Sequence, residues 1–155
     1  MSSSRKMRIL LDTTYLLPIV GVDVVGVEQA LRVLKKLRDR GVAEYYYTQY
    51  NILEILGKLG RIRYDVERVA IGLLAIEEGF KQVEPSLKGW LKALELRSKG
   101  HRDLIDLLLY ATSLTHNLIF LTRDRQLIEF LKRNNENIDL VMYEKELITK
   151  YSRPH

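Results

Sequence analysis

Apolar residues recur along the chain in two alternating rhythms. Residues 7–11, Met-Arg-Ile-Leu-Leu, form a short and almost wholly apolar run, the pattern of a strand buried on both faces of a parallel sheet. Residues 26–40 then carry Val27, Ala30, Leu31, Leu34 and Leu37 at helical spacing, and Gly41 suits the position just past a helix end. Residues 44–48, Glu-Tyr-Tyr-Tyr-Thr, have strand propensity. A helix is predicted over about 50–59, with Gly57 a mild cost inside it. Asp65 can cap a further helix over 66–78, which Gly79 would end. A weak strand over 80–84 is limited by Pro85. Residues 87–98 read as a helix stopping at Gly100, and Asp103 begins another that runs to about His116. Residues 118–122 are the clearest strand; Asp124 then starts a helix to about Arg133, and 138–143 form a last strand. The tail after Tyr151 is expected to fray. This alternation predicts a three-layer α/β fold with a mostly parallel sheet, as one domain over residues 1–155 with its core in about 7–143.

Against this pattern four acids stand out. Asp12 closes the first strand, Glu54 sits within Ile-Leu-Glu-Ile-Leu, Asp106 lies in Leu-Ile-Asp-Leu-Leu-Leu, and Asp124 ends the run Leu118–Arg123. A carboxylate in apolar surroundings is costly unless it is paired or binds a metal. Ligand sites of open parallel sheets gather at the carboxyl ends of the strands, and all four acids can face that edge. Each acid also has a purely structural reading. Asp124 can cap the helix that follows it. Asp103 and Asp106 can be first-turn acids that favour the helix dipole, the more natural role for Asp103. Asp12 can form an Asx turn, and Glu54 can pair with Lys58 four residues on. Four such coincidences at one edge are harder to accept than one shared cation.

Composition narrows the chemistry. A chain of 155 residues with 46% hydrophobic and 29% charged residues suits a globular domain with a real core. There is no cysteine, which excludes disulfides, thiolate metal sites and cysteine nucleophiles, and makes a cytoplasmic location the expectation. His101, His116 and His155 lack zinc-ligand spacing. No stretch of 18 apolar residues is present, so no membrane span is expected, and Asp12 interrupts the first apolar run too early for a signal peptide. The net charge of +5 is a weak cue for an anionic partner. Arg61, Arg63, Arg102, Arg123 and Arg125 could follow a phosphate backbone, although a solvated face is the commoner meaning. Tyr45, Tyr46 and Tyr47 could stack on bases, but strand alternation sends at least some of them to the core; Trp90 is expected to pack. The turn after the first strand, Asp12-Thr13-Thr14-Tyr15, lacks the glycines of a dinucleotide-binding turn, and Thr14 stands where an aspartate-nucleophile phosphatase needs a second Asp. Neither a P-loop nor Gly-x-Ser-x-Gly is present.

Three segments together resemble the PIN domain family: Leu10-Leu11-Asp12-Thr13-Thr14, then Tyr50-Asn51-Ile52-Leu53-Glu54-Ile55, and the block from Asp106 to Asp124 that contains Leu121-Thr122-Arg123-Asp124. The likeness covers roughly residues 7–143, and its last block is the most specific part. It implies a parallel five-stranded sheet of order 3-2-1-4-5 and a ribonuclease using Mg²⁺ or Mn²⁺. Asp12, Glu54, Asp106 and Asp124 would be its acids, with Thr14 and Thr122 as polar neighbours. Thr14 replaces the commoner Asn or Ser but keeps a hydroxyl. Asp103 adds an acid one helical turn before Asp106; Asp106 has the family's distance to Thr122 and Asp124 and is the favoured ligand. A small chain of this kind most resembles VapC-type toxins of toxin–antitoxin pairs, implying RNA, an antitoxin protein and a second copy of the chain as partners. The competing class is a non-catalytic PIN-like module that binds RNA or serves as a scaffold.

Overall fold

The computed structural model describes residues 5–152. Strand β1 (Met7–Leu11) leads through two 3-10 turns, Thr13–Tyr15 and Leu17–Val20, to helix α1 (Glu28–Asp39). Next come β2 (Ala43–Tyr47), α2 (Gln49–Leu59), α3 (Val66–Gly79), the two-residue β3 (Lys81–Gln82) and α4 (Leu87–Ser98). The chain continues through α5 (Leu104–His116), β4 (Ile119–Thr122), α6 (Arg125–Arg133), β5 (Val141–Tyr143) and α7 (Glu144–Tyr151). The five strands form one sheet in the order β3-β2-β1-β4-β5, and every pairing is parallel. This is the predicted α/β fold with the predicted order.

The strands alternate between two cores, which makes three layers. Ile9, Leu11, Tyr45 and Tyr47 point to one face, where they meet Ala30, Val33, Leu34 and Leu37 of α1, Ile55 and Leu59 of α2, and Leu147 of α7. Leu10, Tyr46 and Phe120 point to the other, against Ala93 and Leu96 of α4, the Leu107–Ala111 run of α5, and Leu127, Phe130 and Leu131 of α6. All three tyrosines of β2 are therefore core residues and none is free to stack on a base. Trp90 departs from expectation the other way: it stands 51% exposed on α4, in line with exposed Leu87, Leu91 and Leu94. Helix α5 is buried through eight consecutive residues, Asp106–Ser113. Its buried aliphatic hydroxyls are satisfied within the helix, Thr112 donating to the Leu108 carbonyl at 2.6 Å and Ser113 to that of Tyr110 at 2.7 Å.

Sequence and structure differ chiefly where local capping overrides strand propensity or where an element is short. Thr48, expected at the end of β2, instead caps α2: its hydroxyl accepts the amides of Tyr50 and Asn51, and Asn51 Oδ1 accepts the Thr48 amide at 2.7 Å. The strand expected over 80–84 shrinks to two exposed residues and the one over 138–143 to three. Helix α7 was not expected; it starts directly from β5 without a side-chain cap, and only Glu144 and Leu147 are buried. Gly41 ends α1 in the left-handed region, at φ 68°, as anticipated. The fraying expected after Tyr151 concerns a tail of which Ser152 alone is among the described residues.

Two helical glycines give opposite predictions. A Cβ on Gly72 of α3 would collide with the Ile19 carbonyl and lie 2.7 Å from Val20 Cα, so α3 can press on the second 3-10 turn only without a side chain there. A Cβ on Gly57 of α2 meets nothing within 4 Å. Gly72→Ala is expected to destabilise by about 1–3 kcal/mol through overpacking, and Gly57→Ala to stabilise by about 0.5–1 kcal/mol through helix propensity. Urea unfolding of the two variants tests this; equal effects would contradict the packing.

Candidate active site

Adjacent parallel strands bring the acids together. Leu11 of β1 lies opposite Leu121 of β4, so residues 12 and 122 leave the sheet side by side, and the Asp12 amide donates to the Leu121 carbonyl at 3.2 Å. This is the point where the strand order reverses, between β1 and β4, the usual crevice of an open α/β sheet. Helix α5 starts at that edge and presents Asp106 in its first turn, while α2 leaves the neighbouring β2 and carries Glu54. Asp12 and Asp106 are both 8% exposed and Glu54 and Asp124 half-buried; Asp103 is exposed, at the rim.

The cluster has strong internal repulsion. Burial, then repulsion from Asp12, Asp103, Asp124 and Glu54, raises the Asp106 carboxyl to about 9. Burial and repulsion from Glu54, Asp103 and Asp124 raise Asp12 to about 7, opposed by a backbone hydrogen bond from Thr13. Among the described residues no Lys or Arg lies within 4 Å of any of these five acids. Glu54 makes no pair with Lys58, which removes the structural role considered for it. Among the described residues, too, no three His, Asp or Glu side chains are arranged as a ready-made metal cage.

Structural roles and cluster membership coexist. Asp103 caps α5, Oδ1 accepting the Asp106 amide at 3.1 Å, and Asp124 caps α6, Oδ1 accepting the Leu127 amide at 3.2 Å. Each uses one carboxylate oxygen, so the other remains available. Thr14 donates its hydroxyl to Asp12 Oδ2 at a long 3.4 Å, and the Thr122 hydroxyl accepts the Asp124 amide at 3.0 Å. Both threonines therefore hold acids in place.

Three supporting features were not anticipated. Asn51, fully buried, donates through Nδ2 to the Leu11 carbonyl at 3.1 Å and to the Thr13 hydroxyl at 3.0 Å, fastening the turn at Asp12 to the start of α2. The Thr48-x-x-Asn51 spacing is the signal that could have revealed it. Tyr15 is buried and donates to Glu144 at 2.9 Å, and Arg123 reaches the same carboxylate at 3.4 Å and the Val25 carbonyl at 2.9 Å. Arg123 thus clamps the chain between β1 and α1 instead of facing a phosphate backbone. His101 places Nε2 3.9 Å from Asp106 Oδ2, too far for a hydrogen bond, and its ring 4.9 Å from that of Phe130. Among the described residues, His101 Nε2 is the buried side-chain polar atom left without a hydrogen-bond partner.

The raised carboxyls make stability depend on pH. In the unfolded chain an Asp loses its proton near pH 4, whereas the folded chain keeps those of Asp12 and Asp106 to about 7 and 9. Between these limits the native state binds more protons, so its stability falls as pH rises. In EDTA the melting temperature is expected to fall from about pH 5 to about pH 9. Asp106→Asn should flatten the fall and melt at or above the wild type at the alkaline end. A wild-type melting temperature that rises with pH, or a variant parallel to it, would contradict the coupling.

Known proteins resemble this chain in sequence profile and in fold. The profile of the PIN domain family matches residues 9–132. No curated protein matches the chain. Among solved structures, VapBC2 from Rickettsia felis bound to a promoter DNA fragment is similar at a TM-score of 0.59 and 14% identity, covering 80% of this chain and 93% of that one. VapBC-1 from nontypeable Haemophilus influenzae is similar at 0.58 and 14%, covering 82% and 94%. A toxin–antitoxin complex from Klebsiella pneumoniae is similar at 0.53 and 17%, covering 75% and 86%. At such identities the likeness is one of fold, and it agrees with the sheet order found here. With the profile spanning most of its length, from β1 through α6, the chain belongs to the PIN domain family.

Proposed function

We propose that the chain is a metal-dependent endoribonuclease that hydrolyses RNA phosphodiester bonds with water, and that it acts as the toxin of a toxin–antitoxin pair. The observation that carries this reading is the cluster itself: two buried carboxyls raised to about 7 and 9 among further acids, with no Lys or Arg among the described residues paired with them and only His101, 3.9 Å from Asp106, beside them. Such a site stores repulsion that a divalent cation relieves. Its donors are hard oxygens, which suit Mg²⁺ or Mn²⁺. The lack of a ready-made cage is compatible with Mg²⁺, which keeps several waters and takes one or two carboxylates directly. Asp12 and Asp106 would be those two, with Glu54 and Asp124 reaching the ion through water. When bound, the ion would supply Lewis acidity toward a phosphate oxygen and toward water.

The chain's own residues would do the rest. Asp12 and Asp106 give up their protons on binding and become charged. Asp124, steadied by its cap to Leu127 and by Thr122, has one oxygen left to orient and deprotonate the attacking water. Thr14 and Asn51 hold the turn that carries Asp12. Water attacks phosphorus in line with the departing 3′ oxygen, leaving a 5′-phosphate and a 3′-hydroxyl. Single-stranded or loop RNA is the substrate class, since its bases need not first be unpaired.

The partners follow from the same reading. Three of the similar structures contain a VapBC or toxin–antitoxin pair, which supports an antitoxin protein as partner. Exposed apolar side chains on α2 and α3 (Leu53, Leu56, Ile71, Leu74) and on α4 (Leu87, Trp90, Leu91, Leu94) offer surface for that protein and for a second copy of the chain. No helix among the described residues is long and apolar enough to cross a membrane.

Purified protein is expected to cleave single-stranded RNA with Mg²⁺ or Mn²⁺ and to stop in EDTA. Asp12→Asn should lower the rate by on the order of 10²–10³, the scale for losing one group that organises transition-state charge. Products bearing a 2′,3′-cyclic phosphate would overturn the mechanism, since they arise from attack by the ribose hydroxyl. In melting experiments Mg²⁺ at a hundredfold excess over its Kd should stabilise the wild type by about 2.7 kcal/mol and Asp106→Asn by less. An equal shift in both would remove Asp106 from the ion site.

A further inference from the structure

A basic trough opens off the acid cluster. Arg125, Glu129 and Arg133 share one face of α6 at spacings of four and eight residues from Arg125, and the buried Phe130 borders it. Together with His101 and Arg102 from the segment before α5 they line a concavity of about 510 Å³. At 1.5 Å per residue it follows the helix for about 12 Å, from Arg125 to Arg133. One end abuts the acids in three ways: Arg125 follows Asp124, Arg102 precedes Asp103, and His101 Nε2 lies 3.9 Å from Asp106.

The charges lining it are largely uncommitted. Neither Arg102 nor Arg133 has a hydrogen-bond, ion-pair or ring partner among the described residues, and Glu129 pairs with neither Arg125 nor Arg133. Arg125 lies over the Tyr143 ring at 5.4 Å. The tilted His101 and Phe130 rings supply apolar floor. Three guanidiniums against one carboxylate make a positive strip beside a negative cluster. An RNA strand whose scissile phosphate sits at the acids must continue past them, and its next phosphates are repelled by the acids and attracted by this strip. A trough of this volume suits a single strand.

We propose that this trough is the subsite for the RNA strand flanking the cleaved bond. Arg102, Arg125 and Arg133 contact successive phosphates, and Glu129 weakens the hold. This rests on the ribonuclease reading above, and the test separates the two. The probe is a fluorescein-labelled, mixed-sequence single-stranded RNA. Its affinity is measured by anisotropy in EDTA across a salt series, and its cleavage kinetics are measured with Mg²⁺. The variants are Arg102→Gln/Arg133→Gln, Glu129→Gln, and the charge-matched control Lys132→Gln/Lys145→Gln.

The double arginine variant is expected to bind about tenfold or more weakly, with a salt slope shallower by about 1.4, from 0.7 per lost phosphate contact. It should raise KM with kcat nearly unchanged. Glu129→Gln should bind more tightly than wild type, an outcome that misfolding does not produce, and the control should match wild type in slope. If the wild type cleaves RNA while the arginine variant equals the control in affinity, slope and KM, the subsite is overturned and the nuclease reading stands. If the wild type binds RNA with these variant effects but never cleaves it, the subsite stands and the nuclease reading falls. If the wild type neither binds nor cleaves, both fall.

Discussion

Repulsion among buried carboxylates is the term that the surrounding structure has to offset. Asp12 and Asp106 are almost out of solvent, and each is pushed further from ionisation by Glu54, Asp103 and Asp124. No Lys or Arg among the described residues pairs with these carboxylates: Arg123, one residue from Asp124, is turned away to Glu144 and the Val25 carbonyl. What holds the acids is backbone and packing. The β1–β4 pairing fixes Asp12 beside Thr122, the buried Asn51 amide ties the following turn to α2, and the fully buried middle of α5 anchors the first turn that carries Asp106. These contacts keep an unfavourable arrangement of charge in place, the usual sign of a site kept for its chemistry.

The acids also divide the work. Asp103 and Asp124 each spend one oxygen on capping a helix, so a structural and a chemical role are compatible in one side chain. Both helices then begin at the cluster, and α6 carries Arg125 and Arg133 away from it. Asp124 and the arginines of α6 are consecutive in the chain, so in the proposed reading a polyanion held by the trough is led to the acids.

The sequence made the centre of this molecule legible and its margins less so. β1, β4 and α5 were evident because burial on all sides leaves unbroken apolar runs, and an acid inside such a run is conspicuous. The sheet order came from the resemblance carried by those same segments. The margins follow other physics. Thr48 joins α2 because a capping box outweighs strand propensity, and α7 is too short, with too few buried positions, for helical periodicity to show. Trp90 is exposed because the buried side of α4 is taken by Ala93 and Leu96 against α5, a partition that hydrophobicity alone does not express. Tertiary contacts decided Arg123 and His101: nothing near them in sequence indicates that one clamps a loop and the other lies against Asp106.

Asp12 and Asp106 repel each other in the folded chain, and the proposed cation would relieve that repulsion. Carboxyl carbon resonances of aspartate-labelled protein, followed by NMR from pH 3 to pH 10, test it most directly. In EDTA the two resonances identified by their loss in Asp12→Asn and Asp106→Asn should titrate far above the ordinary aspartate range, near 7 and 9. With Mg²⁺ both midpoints should fall by well over one unit, because the ion favours the charged forms. Two resonances that titrate near pH 4 and ignore Mg²⁺ would contradict the account.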